Sequence, residues 1–348
     1  MKSLLIAVVG LLFVLPVSLR AEPMTFYTPA ESDGSRFARF VLDGGKEQIY
    51  AVGEIDLNAA DRLNLFVQAQ GITSAKIVFD SRGGSLIGGL LLGEIIRDLR
   101  FDTGVGAATE DAEAICASAC AYAFAGGVNR FFLDGDGLLG LHQFYGAGTN
   151  IADAGDTQEV SAAIVGYLGR MGISPRAFVR ATDARSDEMI WLSSSDAAEL
   201  ELVNNGSLPT TSEIKLLGML PYLRLEQMHH NVAARVLLLC NNREVQLMFG
   251  IVTEPDLTAL RYETTIRSYL DFDGSDRLAS SGQDGLRAEG SVLWLQRSLT
   301  GADASMLART RTLNGWVENG GAFRWGGNID LSEKGSEIQS FVAGCSRT

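Results

Sequence analysis

Positive charge is scarce in this sequence, and so is histidine. Lysine and arginine together number 29 against 42 acidic residues, which gives a formal net charge of −13 over 348 residues. A nucleic-acid-binding surface needs a surplus of Lys and Arg to neutralise phosphates, and so does a surface that docks on anionic lipid. The composition therefore argues against both kinds of partner and predicts an acidic protein with a solvated surface.

Long hydrophobic runs are also lacking after the N-terminus. Lys2 precedes an apolar run over Leu4–Val17, and small residues precede Glu22, which is the pattern of a secretory signal peptide in residues 1–21. The run is shorter than the roughly 20 residues that a membrane-spanning helix needs. We expect export, to the periplasm or as a secreted protein; the alternative is an uncleaved membrane anchor, because Arg20 lies close to the expected cleavage site.

Cysteine is limited to four residues, and in an exported chain these are expected to form disulfides. Cys116 and Cys120 lie together, whereas Cys240 and Cys345 lie near the two ends of the C-terminal part. The simplest pairing is Cys116–Cys120 and Cys240–Cys345. A metal site is the poorer interpretation for Cys116 and Cys120, because no histidine or further cysteine lies near them in sequence. We expect neither a metal nor another cofactor.

Strand and helix patterns alternate over residues 22–207. Ala75–Phe79 is a short apolar run typical of a buried strand, and Leu86–Leu99 has the spacing of an amphipathic helix. Such alternation is typical of an α/β domain with a mainly parallel sheet and helices.

The rest of the chain has a different pattern. Turn-forming residues begin at Gly206, and residues 208–232 are predicted to be a linker. Short alternating runs separated by turn signals then predict a smaller β-rich C-terminal domain over residues 233–348, for which the sequence indicates no role.

Four features of the first domain could carry chemistry. Ser118 has small neighbours and begins an apolar helix, so it is a candidate nucleophile; the alternative is a serine that caps the helix. Gly83-Gly84 separates a strand from a helix, where backbone N–H groups could face a substrate oxygen, although an ordinary tight turn would look the same. His142 ends a predicted strand and is the only histidine before residue 229, so it is the candidate base, or else a core histidine. Asp187 could orient the imidazole, or be a solvated loop carboxylate.

Taken together, these features resemble the Clp protease proteolytic subunit (ClpP), within the crotonase-type fold. The order and spacing of that family are followed by five features of this sequence. They are Asp80–Ser85, Ser118, His142-Gln143, Asp187 and the Leu192-Ser193 stretch after it. The resemblance covers residues 45–206, about half of the chain. It implies a ClpP/crotonase-like domain with a Ser118–His142–Asp187 triad.

The same resemblance implies that the N–H groups of Gly84 and Ala119 form an oxyanion hole, and that the chain forms a homo-oligomer. It is incomplete, because Arg82 replaces the usual proline, and the C-terminal domain is foreign to the family. Two extra residues separate Asp187 from the Leu-Ser stretch, and Asp183, Glu188 and Asp196 are rivals for its role.

Related signal-peptide peptidases use a serine–lysine dyad, for which Lys46 and Lys76 are the lysines between residues 22 and 207. A histidine-based triad is preferred, because Lys76 begins a strand that faces the core, while Lys46 stays open as an alternative. Trp191 and Tyr122 are interpreted as core aromatic residues.

The sequence thus predicts an exported serine peptidase that cleaves unfolded or short peptides. It would act without an ATP-driven unfoldase, because such unfoldases are cytosolic. Two alternatives stay open: another acyl hydrolase with the same catalytic groups, and a catalytically silent binding or assembly module.

Overall fold

A computed structural model describes residues 22–29, 45–107, 113–144, 154–185, 187–229, 232–321 and 324–347. The predicted signal peptide lies outside these residues. The buried apolar side chains form two separate clusters, one drawn from residues 24–203 and the other from residues 223–345. We refer to residues 22–206 as the N-terminal region and to residues 207–347 as the C-terminal region.

The N-terminal region contains two small mixed sheets. Their strands are β1 Thr25–Tyr27, β2 Glu47–Val52, β3 Ala75–Asp80, β4 Asp102–Val105, β5 Ile115–Ala117, β6 Arg130–Phe131, β7 Leu138–Leu141 and β8 Ile190–Leu192. One sheet has the order β1-β2-β3-β4-β6, in which only β1 is antiparallel to its neighbour. The other has the order β5-β7-β8, in which β5 and β7 are parallel and β8 is antiparallel.

Helices cover these sheets. They are α1 Ala59–Gln70, α2 Leu86–Asp98, α3 Ala119–Ala125, α4 Ala154–Arg170, α5 Arg176–Thr182 and α6 Ser194–Glu199. Helix α2 begins where the Ser85 hydroxyl accepts a hydrogen bond from the Gly88 amide, which satisfies one of the free N–H groups of the first turn. Its glycines let α3 approach closely, since a Cβ atom on Gly89 would lie 2.4 Å from the Ala119 carbonyl oxygen.

The C-terminal region is built mainly of antiparallel strands. They are β9 Thr211–Leu217, β10 Leu220–His229, β11 Val232–Asn241, β12 Glu244–Val252, β13 Arg267–Phe272, β14 Ser275–Ser281, β15 Leu286–Glu289, β16 Val292–Leu299, β17 Thr312–Glu318 and β18 Arg324–Asp330. A six-stranded sheet has the order β15-β16-β12-β11-β10-β9, and a four-stranded sheet has the order β14-β13-β17-β18. Three helices complete the region: α7 Pro255–Thr264, α8 Gly301–Leu307 and α9 Gly335–Arg347.

The expected fold class, a mainly parallel ClpP/crotonase-like α/β architecture with a small β-rich appendage, is wrong. Antiparallel pairing dominates the molecule, most clearly in the six-stranded sheet. The N-terminal sheets are mixed as well, because β1 and β8 run against their neighbours. The physical reason is that alternating strand and helix patterns do not encode which strands pair, and the chain repeatedly turns back on itself through hairpins.

The segment over residues 208–232 also differs from its prediction as a linker. It contains the whole of β9 and β10, which belong to the six-stranded sheet. The turn-forming residues near Gly206 mark the entry to this hairpin. The predicted division near residue 207 nevertheless falls between the two hydrophobic clusters.

The four cysteines pair as expected. Cys116 is bonded to Cys120, and Cys240 in β11 is bonded to Cys345 in α9. Two disulfides fit an oxidising location outside the cytoplasm. Within the described ranges, no helix is both long and apolar enough to cross a membrane.

Candidate active site

Three chain segments of the N-terminal region end side by side. Ser81, directly after β3, forms a parallel bridge with Cys116 in β5, and Ala117 at the end of β5 pairs with Gly140 in β7. Because these segments run parallel, their carboxyl ends lie at one edge. The residues that follow them are Gly83-Gly84, Ser118 and His142, so the structure brings the predicted turn, nucleophile and base to the same place.

Ser118 has an unusual backbone conformation, with φ 59° and ψ −124°. A positive φ in a residue other than glycine is sterically costly and persists only where the surrounding structure imposes it. The Ser118 amide donates a hydrogen bond to the Gly140 carbonyl oxygen at 3.0 Å, which holds the residue against β7. Its hydroxyl caps no amide of α3 in the described structure, so the helix-cap interpretation is not what this side chain does.

Gly83 packs directly against Ser118. A Cβ atom on Gly83 would lie 2.6 Å from the Ala117 carbonyl oxygen, 2.8 Å from Ser118 Cβ and 3.0 Å from the Ala119 nitrogen. Its φ of 101° is also unfavourable for any residue with a side chain. Only glycine therefore fits between the turn and the serine.

The Gly84 and Ala119 N–H groups, predicted to form an oxyanion hole, differ from the neighbouring N–H groups in their hydrogen bonding. The Ile55 amide donates to the Gly83 carbonyl oxygen at 2.8 Å, and the Ser85 amide donates to the Ile55 carbonyl oxygen at 2.7 Å. These bonds leave the Gly84 N–H, between them, with no acceptor among the described residues. The Ala119 N–H, at the first position of α3, likewise has no described acceptor. Neither N–H group is therefore used by a described contact within the fold.

His142 follows β7 and is buried, with 9% of its surface exposed. Ala117 pairs with Gly140, and the Ser118 amide donates to the Gly140 carbonyl oxygen, so His142 lies two residues beyond the residue that holds Ser118. Adjacent strands are about 4.8 Å apart, which is within the range of an imidazole side chain. The Gln143 amide donates to the Ala184 carbonyl oxygen at 3.1 Å and so fixes the backbone after His142.

Asp187, the predicted third member of the triad, lies at the surface. Its carboxylate is 74% exposed and lies 3.4 Å from the Arg185 guanidinium. Its three rivals also have other partners: Asp183 pairs with Arg180, Glu188 accepts from the Arg185 amide, and Asp196 accepts from Ser193 at the start of α6. The structure thus places Ser118 and His142 on neighbouring segments, and it gives each of these four carboxylates a surface or capping contact instead.

The two lysines considered for a dyad are engaged elsewhere. Lys46 Nζ lies 2.5 Å from the buried Asp102 carboxylate, and Lys76 Nζ lies 5.3 Å from the centre of the Phe131 ring. Both lysines lie at the amino ends of parallel strands, whereas Ser118 lies at a carboxyl end. This arrangement favours the histidine over a lysine as the base.

A cavity of about 590 Å³ adjoins the Gly83-Gly84 turn. Carboxylates dominate the charged side chains that line it, and Arg82 is the cation among them. The carboxylates belong to Glu22, Glu54, Asp80 and Glu113. Gly84 lines the cavity, whereas Ser118, Ala119 and His142 are not among its lining residues. The charge of the cavity favours a neutral or cationic group in it.

The prediction of Trp191 as a core aromatic residue is wrong. It is 46% exposed, and it lies opposite Gly140 across the β7–β8 pair. A Cβ atom on Gly140 would lie 2.7 Å from the indole and 2.8 Å from the Met189 sulfur, so the glycine provides the space that both side chains occupy. A glycine within a strand pattern is the signal that could have indicated this close approach. Tyr122, in contrast, is buried as predicted, and burial raises its pKa to about 12.

No protein-family model matches this chain, and no curated protein matches it either. Across the described residues, no group of three or more His, Cys, Asp or Glu side chains is placed to hold a metal ion.

Proposed function

We propose that the chain is a serine hydrolase, with Ser118 as the nucleophile and His142 as the general base. The observation that carries the proposal is the backbone of Ser118, which is held at a positive φ against Gly83 and beside the segment that ends in His142. Conformational strain of this kind concentrates at functional sites, where it positions a reacting group.

The proposed chemistry is acyl transfer. Ser118 Oγ attacks a carbonyl carbon while the imidazole of His142 takes the hydroxyl proton, and the oxygen that becomes negative accepts hydrogen bonds from the Gly84 and Ala119 amides. The bond to the leaving group then breaks as the imidazole returns the proton to it, which leaves an acyl ester on Ser118. A water molecule attacks this ester by the same steps and releases the acid and the free enzyme.

Peptides are the substrate class that we propose. The order of the glycine turn, Ser118 and the His142-Gln143 pair resembles that of a peptidase family, and the cavity beside the turn has room for a substrate side chain. The disulfides and the signal-peptide-like N-terminus support a periplasmic or secreted protein. In either location the chain would act without ATP, on unfolded or short peptides.

A fluorophosphonate probe tests the proposal without knowledge of the substrate. The probe phosphonylates an activated serine: the serine oxygen forms a P–O bond as the P–F bond breaks and fluoride leaves. We expect the wild type to be labelled and both Ser118→Ala and His142→Ala to lose labelling, with mass spectrometry locating the adduct on Ser118. Ser298→Ala, an exposed serine in β16, is the matched control and should label like the wild type. No labelling of a folded wild type, either oxidised or reduced, would overturn the proposal.

The second candidate is a catalytically silent binding module. The observation that favours it is the position of Asp187, which faces solvent and pairs with Arg185 rather than completing a triad. In that case Ser118→Ala should leave the biological function of the protein unchanged, as well as its fold.

A further inference from the structure

Strand β9 forms an edge of the six-stranded sheet. Its one described neighbour is β10, to which it is joined by the tight turn at Gly218-Met219. The other side of β9 therefore presents backbone N–H and C=O groups that pair with no described strand. Such edges are usually short, highly charged or covered, because they can pair with another strand.

The side chains of this edge are unusually apolar. Ile214 and Leu216 are 64% and 69% exposed, although they lie on the same face of the sheet as the buried Leu223 and Leu225. Helix α9 packs over β11 and β12 on this face, and it contacts β9 where the Ser212 hydroxyl donates a hydrogen bond to the Glu337 carboxylate at 3.3 Å. The Ile214 and Leu216 side chains stay uncovered beside this contact. The uncovered strip is continuous with a groove of about 640 Å³ between the hairpin and Phe341 of α9. Apolar surface of this kind marks an interaction site.

The charged side chains on the opposite face of β9 are complementary to those of a second copy of the same strand. Glu213 and Lys215 flank Ile214, the middle residue of the seven-residue strand, and each is nearly half-exposed. Within one chain the Glu213 carboxylate lies 3.0 Å from Lys215 Nζ and 2.7 Å from the Arg224 guanidinium. When two copies of β9 lie antiparallel with Ile214 facing Ile214, each Glu213 lies opposite Lys215 of the second copy. All seven residues are then paired, since Thr211 faces Leu217. Opposite charges directly across an antiparallel pair stabilise it, and like charges would oppose it.

We infer that β9 pairs with β9 of a second copy of this chain about a two-fold axis at Ile214. The pairing joins two six-stranded sheets into one continuous sheet, and it brings the exposed Ile214 and Leu216 side chains of both copies together on one face. A two-fold axis requires a self-complementary surface, and the order Glu213-Ile214-Lys215 provides one. This inference concerns the C-terminal region and is independent of the proposed hydrolase activity.

Cysteine cross-linking tests the register directly. In the proposed dimer Ile214 faces itself at about 5 Å between Cα atoms, within the range for a disulfide. Leu216 faces Ser212, so the two Leu216 Cα atoms are four residues out of register and about 13 Å apart. Both side chains are similarly exposed, and the native cysteines within the described structure are already paired. Under mild oxidation, Ile214→Cys should form a covalent dimer on a non-reducing gel, at least tenfold more than Leu216→Cys.

Sedimentation of the full chain is the second measurement. The wild type should sediment with twice the mass of one chain, and Ile214→Lys, which places two ammonium groups face to face, should shift it to the monomer. Leu260→Lys in α7, where the leucine is 51% exposed, should stay dimeric. A monomeric wild type would overturn the inference and leave the edge to a different partner. Equal cross-linking of Ile214→Cys and Leu216→Cys would overturn the register and, with it, the proposed interface.

Discussion

The two regions of the molecule differ in how they bring residues together. In the N-terminal region, parallel segments separated by long stretches of chain end at one edge, so Gly83, Ser118 and His142 become neighbours. In the C-terminal region, consecutive strands pair through hairpins, so most neighbours across the sheet are also close in sequence. The comparison shows why the candidate active site lies in the first region, since converging strand ends assemble polar groups that a hairpin cannot bring together.

The two regions also differ in the sequence separation of their disulfides. Cys116–Cys120 links residues four apart and brackets Ser118, whereas Cys240–Cys345 links residues 105 apart and fastens α9 to β11. A short loop loses little entropy when it is closed, and a long loop loses more. The local disulfide therefore acts on the geometry of Ser118, while the long-range disulfide acts on the stability of the C-terminal region.

Both regions use a buried arginine for a similar purpose. Arg130 donates to backbone carbonyl oxygens that include those of Leu202 and Glu201, and Arg297 donates to the carbonyl oxygens of Leu278 and Ser268. Burial lowers the pKa of both side chains, that of Arg130 to about 10. These contacts hold loops in each region and are structural in both, so buried positive charge alone does not mark the active site.

Gly83→Ala should reduce probe labelling more than removal of either disulfide or Asp187→Asn. It tests whether the glycine turn of the N-terminal region positions Ser118. The added methyl group would collide with the Ala117 carbonyl oxygen and with Ser118 Cβ, and would displace the Ala119 amide. We expect probe labelling to fall at least about 100-fold, the loss that accompanies removal of one oxyanion donor.

Gly135→Ala is the matched control for this variant. Gly135 has nearly the same φ, 104° against 101°, but a Cβ atom there would meet no described atom within 4 Å. It should lower the free energy of unfolding by only about 1 kcal/mol, the usual cost of a strained φ, and leave labelling unchanged. Wild-type labelling of Gly83→Ala would mean that the turn does not support the serine.

Removal of each disulfide should separate stability from activity. By the loop-entropy argument, Cys240→Ala/Cys345→Ala should cost about 4–5 kcal/mol of unfolding free energy, and Cys116→Ala/Cys120→Ala about 2 kcal/mol. Probe labelling should fall in Cys116→Ala/Cys120→Ala and stay unchanged in Cys240→Ala/Cys345→Ala, because only the former alters the surroundings of Ser118.

Denaturant unfolding, followed by tryptophan fluorescence, measures the loss of unfolding free energy in each disulfide variant. Trp191 reports on the N-terminal region, and Trp294, Trp316 and Trp325 report on the C-terminal region. If the two variants lost the same stability and the same labelling, the division of roles between the disulfides would be wrong.

Local elements of the fold could be predicted from the sequence. The strand predicted at Ala75–Phe79 is β3, and the helix predicted at Leu86–Leu99 is α2, because apolar periodicity and the Ser85 cap are encoded within a few residues. The disulfide partners could also be predicted, since only three pairings exist.

Pairing between strands could not be predicted. Apolar side chains alternate with polar ones in the same way along a parallel and an antiparallel strand. The alternation of strands and helices therefore predicted the wrong fold class. The β9–β10 hairpin could not be predicted because exposed apolar residues occupy its turn and both flanks, namely Met219 in the turn and Leu217 and Leu220 beside it. In the candidate site, Ser118 and His142 are brought together by strand register, while the surface position of Asp187 depends on a turn that no periodic pattern describes.

Asp187→Asn should produce the smallest effect and would sharpen the account of the site. A carboxylate that orients a catalytic histidine is buried and bonded to it, and its loss costs about 10⁴-fold in rate. Asp187 is exposed and lies beside Arg185, and an exposed ion pair contributes less than about 1 kcal/mol. We therefore expect the labelling rate of Asp187→Asn to stay within threefold of the wild type, and Asp183→Asn to behave in the same way as its matched control. A loss of 100-fold or more in Asp187→Asn alone would show that the turn closes over His142 during catalysis, and the triad predicted from the sequence would then be the correct account of the site.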